Sequence, residues 1–312
     1  MLILSDSSIN KISKVKLVSL ILVLSCSTLI AQSAGSTGLS FLKFGYGARN
    51  IAMGDAGTSA SNDITSLFYN PSRLAAMENS EVFFMHNEWI QDVRSEVIGI
   101  RSKVLGLQFA LGFNVTTISD IEVRSRPGEP DTKFDANYFY GSLSTGFDIS
   151  DNLSLGGTFK YLYEGMLVDE AAGFAFDIGL AYQLPYDGFS IGAAIRNIGS
   201  MNDLRAESTK LPAEIRIGPA YSFNLSNTKF FFTTVAEYHK YFDDDENHIN
   251  LGIEINYNDL VALRGGYQTG YESRDFTAGI GLMWGNLKFD YAFLPFQLGL
   301  GNANLFSLQF NF

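Results

Sequence analysis

The chain has 312 residues, a formal net charge of −11, 14% aromatic and only 18% charged residues, and thirty glycines. This balance excludes nucleic acid as a partner, because phosphate binding needs clustered Lys and Arg. It also does not suit a soluble enzyme of this length, which would carry more charge and helical heptads. The single cysteine, Cys26, excludes an internal disulfide or a cysteine-based metal site.

Residues 1–31 read as a signal peptide. Lys11, Lys14 and Lys16 form a positive start, Leu17 to Ile30 an apolar run, and Ala31 a small residue before the cut. The apolar run is too short and serine-rich to span a bilayer. Leu24 spoils a lipidation motif at Cys26, so plain cleavage near Ala31 is expected. An exported, acidic, β-rich chain points to the outer membrane of a Gram-negative bacterium.

Residues 32–80 form the next unit, a plug segment. Its centre, FLKFGYGARNIAMGDAGTSASNDITSLFYNPSRLA (Phe41 to Ala75), is the long stretch that does not alternate like a strand. Ile51, Met53 and Ala56, then Leu67, Phe68 and Leu74, lie near helical spacing, interrupted by glycines. Asn70-Pro71 predicts a stop followed by a new short turn, with the Asn side chain as its cap.

These residues resemble the N-terminal signature of the PorV/PorQ family of outer-membrane proteins, part of the wider FadL-like barrel group. The matching positions are Gly47, Ala48, Arg49, Met53, Gly54, Asp63, Tyr69, Asn70 and Pro71, with weaker likeness through 159–165, 172–182 and Leu211-Pro212. The resemblance implies a plug inside a fourteen-stranded barrel. Gly47, Arg49, Met53, Gly54, Asp63, Asn70 and Pro71 are therefore candidate site residues, either holding the plug or touching a ligand.

Residues 81–312 predict the barrel: an all-β, transmembrane antiparallel fold of about fourteen strands. Alternation and turn signals place them at 81–89, 93–101, 104–122, 137–148, 153–164, 172–184, 188–197, 212–224, 228–241, 248–257, 260–269, 275–285, 287–294 and 303–312. Phe174, Phe176, Ile178, Leu180 and Tyr182 alternate around Asp177, and Leu287, Phe289, Tyr291 and Phe293 alternate with Lys288 and Asp290. A Lys or Arg facing lipid at the bilayer midplane costs about 2–4 kcal/mol. Lys160, Asp177, Arg196, Arg216, Glu237, Glu254, Arg264, Lys288 and Asp290 are thus expected in the lumen. A soluble two-sheet sandwich is the weaker alternative.

Connections at 102–103, 149–152, 185–187, 225–227, 258–259 and 286 are tight and should face the periplasm; those at 123–136, 165–171, 198–211, 242–247, 270–274 and 295–302 are longer and should face outward. Trp89, Tyr138, Tyr161, Tyr163, Tyr186, Tyr221, Tyr241, Tyr257, Tyr271 and Trp284 lie near strand ends, as interfacial girdles would. The chain ends Phe306-x-Leu308-x-Phe310-x-Phe312, which resembles the assembly signal of outer-membrane barrels. Pro219, mid-strand after Gly218, should bend strand 212–224 through a bulge or remove one ladder bond.

No enzyme chemistry is legible. His86, His239 and His248 show no metal-ligand spacing. Asp243 to Glu246 lacks the spacing of a calcium loop and reads as a solvated tip. Glu164 and Glu170 flank one loop as an ordinary carboxylate pair, and no Gly-x-Ser-x-Gly elbow occurs. No catalytic residue, metal or cofactor is assigned.

The resemblance implies an accessory barrel of type IX protein secretion, partnered by membrane lipid, secreted cargo proteins and other secretion subunits. The alternative, implied by the wider group, is a channel for hydrophobic small molecules. A structural barrel of undefined role is the third class.

Overall fold

The computed structural model describes residues 38–204, 207–243 and 245–312. The expected signal peptide, residues 32–37 of the expected plug segment, Arg205, Ala206 and Asp244 lie outside the described residues. Fourteen antiparallel strands close a barrel. They are β1 (Glu81–Glu88), β2 (Val93–Val104), β3 (Leu107–Val123), β4 (Thr132–Ser150), β5 (Leu153–Met166), β6 (Asp169–Gln183), β7 (Phe189–Met201), β10 (Glu214–Asn224), β11 (Phe230–Tyr241), β12 (His248–Tyr257), β13 (Val261–Thr269), β14 (Phe276–Trp284), β15 (Leu287–Pro295) and β16 (Asn302–Asn311). The remaining two, β8 (Asp203–Leu204) and β9 (Glu207–Ser208), form a small hairpin in the loop between β7 and β10. β1 pairs with β16 from Glu81↔Asn311 to Glu88↔Asn304, which closes the wall.

Period-two alternation sorts the side chains. Phe174, Phe176, Ile178, Ile253, Leu263, Leu282, Phe289 and Leu308 point outward and are exposed, whereas Asp177, Glu254, Arg264 and Asp290 point inward and are buried. An apolar band around a closed sheet leaves no backbone edge to lipid, which is the outer-membrane way of spanning a bilayer. The barrel therefore belongs in that membrane. Tight turns and both ends of the barrel, near Ser80 and Phe312, gather at one end; the Phe312 amide donates to the Ser80 carbonyl.

Several boundaries differ from expectation. β4 begins at Thr132 and β6 at Asp169, so the supposed loop at 165–171 shrinks to Leu167 and Val168. β2 runs on to Val104, and the turn falls at Leu105-Gly106. These strands continue past the width of the bilayer because cross-strand pairing goes on wherever a neighbour is present.

The girdle also needs correction. Tyr161, Tyr186, Tyr221, Tyr257 and Trp284 are exposed and Tyr163 is half-buried, but Tyr138, Tyr241, Tyr271 and Trp89 are not exposed. Tyr138 packs on Phe41, and Trp89 stacks on Phe44 at 4.7 Å. Those aromatics cover the plug at the outer mouth instead of meeting lipid.

At Pro219 no bulge forms. Register is kept on both sides, and pairing to β7 continues through Gly218↔Gly192 and Pro219↔Ile191. On the β11 side the ladder jumps from Ile217↔Tyr238 to Ala220↔Val235, so two consecutive pairs are missing. Proline has no N–H for the bond its position requires, and the strand tolerates the gap without slipping. Register shifts lie elsewhere, in β3–β4, β4–β5 and β6–β7.

Candidate functional site

The plug occupies the lumen as short pieces: a 3₁₀ turn at Ser40–Lys43, helices at Ala48–Ala52 and Ser66–Tyr69, and a 3₁₀ turn at Pro71–Ala76. Asn70 caps the last, its Oδ1 accepting from the Ser72 amide at 3.2 Å. Such short helices are not stable alone. They persist because their apolar side is buried: Ile51, Met53, Ile64, Leu67, Phe68 and Leu74 are all 2% exposed or less.

A ring of inward-facing wall glycines receives the plug backbone. At Gly112, Gly146, Gly156, Gly179, Gly192, Gly252, Gly266 and Gly279 a Cβ would fall closer than 3.0 Å to a plug atom. Gly146 and Gly156 face Pro71, Gly179 faces Asn70, Gly192 faces Thr58, and Gly252 and Gly266 face Met53 and Gly54. Eight strands thus give up a side chain so that the plug, by its main chain at five of them and by side chains at the others, can touch the wall. Composition announces the abundance of glycine but not this placement.

Polar bonds lock the fit. Asn70 Nδ2 donates to the Thr58 carbonyl in the plug and to the Leu180 carbonyl in the wall, both at 2.9 Å. Gly54 lies in the left-handed region at φ 74°, its amide donating to Thr277 Oγ1 (3.1 Å) and its carbonyl accepting from Gln268 (3.0 Å). Gly47, at φ 78°, has its amide against Met85 Sδ. Asp63 accepts from the Thr65 amide and hydroxyl within the plug.

Ser59 goes further. Its hydroxyl accepts from the Gly192 amide at 2.8 Å and donates to the Gly218 carbonyl. Gly192 and Gly218 are register partners of β7 and β10. The plug hydroxyl therefore stands inside the wall's own ladder.

The nine expected lumen charges all lie on the inner face, eight buried and Lys288 half-buried. They form separate clusters. Arg49 of the plug grips Glu254 with two bonds (2.9 and 2.8 Å), and Arg264 bridges Glu254 (2.5 Å) to Asp290 (2.6 Å). Lys160 pairs with Asp177 at 2.7 Å. Glu214 holds Arg196 (3.0 Å), Arg216 (3.3 Å) and His239 (2.5 Å), while Arg216 also reaches Glu237 and plug Asp55, both at 3.2 Å. The Arg196 and Arg216 guanidinium groups both lie over the Tyr69 ring, at 5.7 and 5.8 Å, and its hydroxyl donates to Asp55. Opposite charges neutralised in this way can stay out of water, which isolated ones cannot.

Glu214, Asp55, Arg101 and Glu81 were not singled out from sequence. Glu214 is two residues before Arg216 and in phase with it, so alternation carried the signal. Asp55 lies in the Met53-Gly54 motif, but nothing local says that it meets Arg216. Glu81, at the first residue of β1, pairs with Arg101 (3.3 Å) and accepts from the Ile64 amide (2.7 Å).

His239 and His248 face each other across β11 and β12 with ring centroids 5.3 Å apart, whereas His86 lies on the outer face against Glu96. Among the described residues no group of three or more His, Cys, Asp or Glu is arranged to hold a metal. Glu164 and Glu170 part company: buried Glu164 accepts from Thr209, and Glu170 from Tyr163.

No family model matches the chain, and no curated protein matches it. Solved structures do. The toluene transporter TbuX of Ralstonia pickettii superposes with a TM-score of 0.63 at 14% identity, over 86% of this chain and 98% of that one. The toluene transporter TodX of Pseudomonas putida gives 0.60 at 12%, over 86% and 98%. The CymD monoaromatic hydrocarbon channel gives 0.57 at 14%, over 88% and 99%. The shared property is the fold of the barrel.

Proposed function

We propose that this barrel is a non-enzymatic outer-membrane conduit for hydrophobic small molecules, passing them sideways through its wall. The observation that carries this reading is the loss of two ladder pairs between β10 and β11 at Gly218 and Pro219, which weakens the wall there. Directly beside it lies a cluster of small apolar groups: Met53, Ala56 and Ala60 from the plug, Ala220 and Val235 from the wall. An apolar solute travelling along the barrel axis meets buried ion pairs, which it cannot solvate. A sideways exit on the Ala220 and Val235 side of the missing pairs shortens that route, with the Glu237–Arg216 pair on its other side. The names of the similar structures support a hydrocarbon as the substrate class.

Uptake of labelled toluene by Gram-negative cells with and without the barrel tests the reading. Expression should raise the initial rate severalfold. Pro219→Ala, which restores an N–H facing β11, should reduce that gain. Equal uptake with and without the barrel would overturn the reading.

A second reading is an accessory role in type IX secretion, of the PorV/PorQ kind, with cargo proteins and secretion subunits as partners. Its support is the N-terminal motif together with the bonds that fix the plug, Arg49–Glu254 and Arg216–Asp55. A barrel that serves as a docking body has no need of a movable plug. Absence of toluene uptake, with loss of surface cargo when the gene is deleted in its own host, would favour this role.

A further inference from the structure

The wall is split at its outer end. β7 and β10 pair up to Arg196↔Glu214 and no further, although β7 continues to Met201. The cause is a bulge opposite Asp177, where Arg196 and Asn197 together face one residue. Asn197 takes φ 60°, and its amide donates to the Asp177 carboxylate at 2.8 Å. Beyond the bulge β7 follows β6 and leaves β10 behind.

The Asn202 amide donates to the Ala172 carbonyl of β6 at 2.8 Å. In an antiparallel ladder every second residue bonds the same neighbour. Ser200 and Ile198 therefore also face β6, and Gly199 and Met201 turn their N–H and C=O groups to the split. Among the described residues no backbone bond meets them there.

Across the split the returning segment is engaged elsewhere, its Lys210 carbonyl accepting from the plug's Gly38 amide at 3.0 Å. Between the two lies a groove of about 400 Å³, lined by Ile198, Gly199, Ser200 and Met201 on one side and Thr209 and Leu211 on the other.

We infer that this groove docks an extended peptide segment of another protein, which adds as a short strand on the outer end of β7. The groove occupies the place where a longer β10 would have run, and a strand needs about 4.8 Å of lateral room. Open donors and acceptors on the edge call for a main chain. An acyl chain offers neither and would leave Gly199 and Met201 unpaired. Buried Met201 and Leu211 give the peptide an apolar floor for one inward side chain. The inference rests on neither functional reading above.

Hydrogen exchange of the full-length barrel in nanodiscs tests it, with an acetylated and amidated six-residue peptide of alternating Val and Thr as the probe. Millimolar peptide should slow exchange at Gly199 and Met201 at least tenfold and leave Ser200, already bonded to β6, unchanged. A peptide N-methylated at alternate residues, which cannot complete the edge, should give no protection. Three results would each overturn the inference: no protection with the unmodified peptide, equal protection by added lipid alone, or protection that follows barrel concentration with dimer formation.

Discussion

Arg49 and Glu254 join the plug to the opposite wall by two parallel hydrogen bonds of 2.9 and 2.8 Å, both side chains buried. Arg264 adds a second cation to the same carboxylate. A fork-to-fork pair of this kind fixes direction as well as distance. It ties the first plug helix, Ala48–Ala52, which packs on β14 and β15, to β12 as well.

Removing one partner leaves a buried charge uncompensated, at a cost of about 3–5 kcal/mol. Arg49→Met should lower the temperature at which the barrel loses its heat-modifiable gel migration. The double change Arg49→Met with Glu254→Leu should recover part of the loss, since neither charge is then stranded. A double variant less stable than Arg49→Met would contradict this account.

The glycine ring gives a paired test on adjacent residues of β5. Gly156 faces the Pro71 and Ser72 backbone, whereas Gly157 has only the Asp177 carbonyl near, at 3.8 Å from where its Cβ would lie. Gly156→Val should displace the plug and destabilise the barrel by about 1–3 kcal/mol or more, the scale of overpacking. Gly157→Ala should be close to neutral. Thermal unfolding in detergent compares the two, and equal effects would remove the ring from the argument.

Ser59 bonds both the Gly192 amide and the Gly218 carbonyl, which are register partners of β7 and β10. Ser59→Ala leaves a buried donor and acceptor to find each other again, at about 1–3 kcal/mol if they do not. Faster hydrogen exchange of the Gly192 amide is the expected sign. Unchanged exchange would mean that the strands close directly.

Deletion of residues 41–75 should raise conductance in planar bilayers, because the plug fills the lumen between eight strands. The full-length barrel should conduct little. Equal conductance of the two would place the blockage in the outer loops.

Much of this was legible in the chain. Strand spans, the inward face of the charges and the capping by Asn70 follow from periodicity of two and from turn chemistry. Both are properties of near neighbours. The nine charges could be assigned to the lumen because lipid excludes charge on one face of every strand. The plug was recognisable as the stretch that breaks the alternation.

What near neighbours do not determine was missed. Glu214 was overlooked though it lies in phase with Arg216. The glycines of eight separate strands reveal their purpose only when closure brings them against the plug. Tyr138 and Tyr241 look like girdle residues in sequence, yet their strands present them to the plug. Strand ends were cut short because pairing, not bilayer width, decides where a strand stops.

The sequence by itself determined which face of each strand meets lipid, because the cost of exposing a charge there depends on that residue alone. Only the tertiary structure decided which charges pair, which glycines touch the plug and where the wall parts. Arg49 and Glu254 are 205 residues apart, and their meeting depends on how the whole sheet closes around the plug.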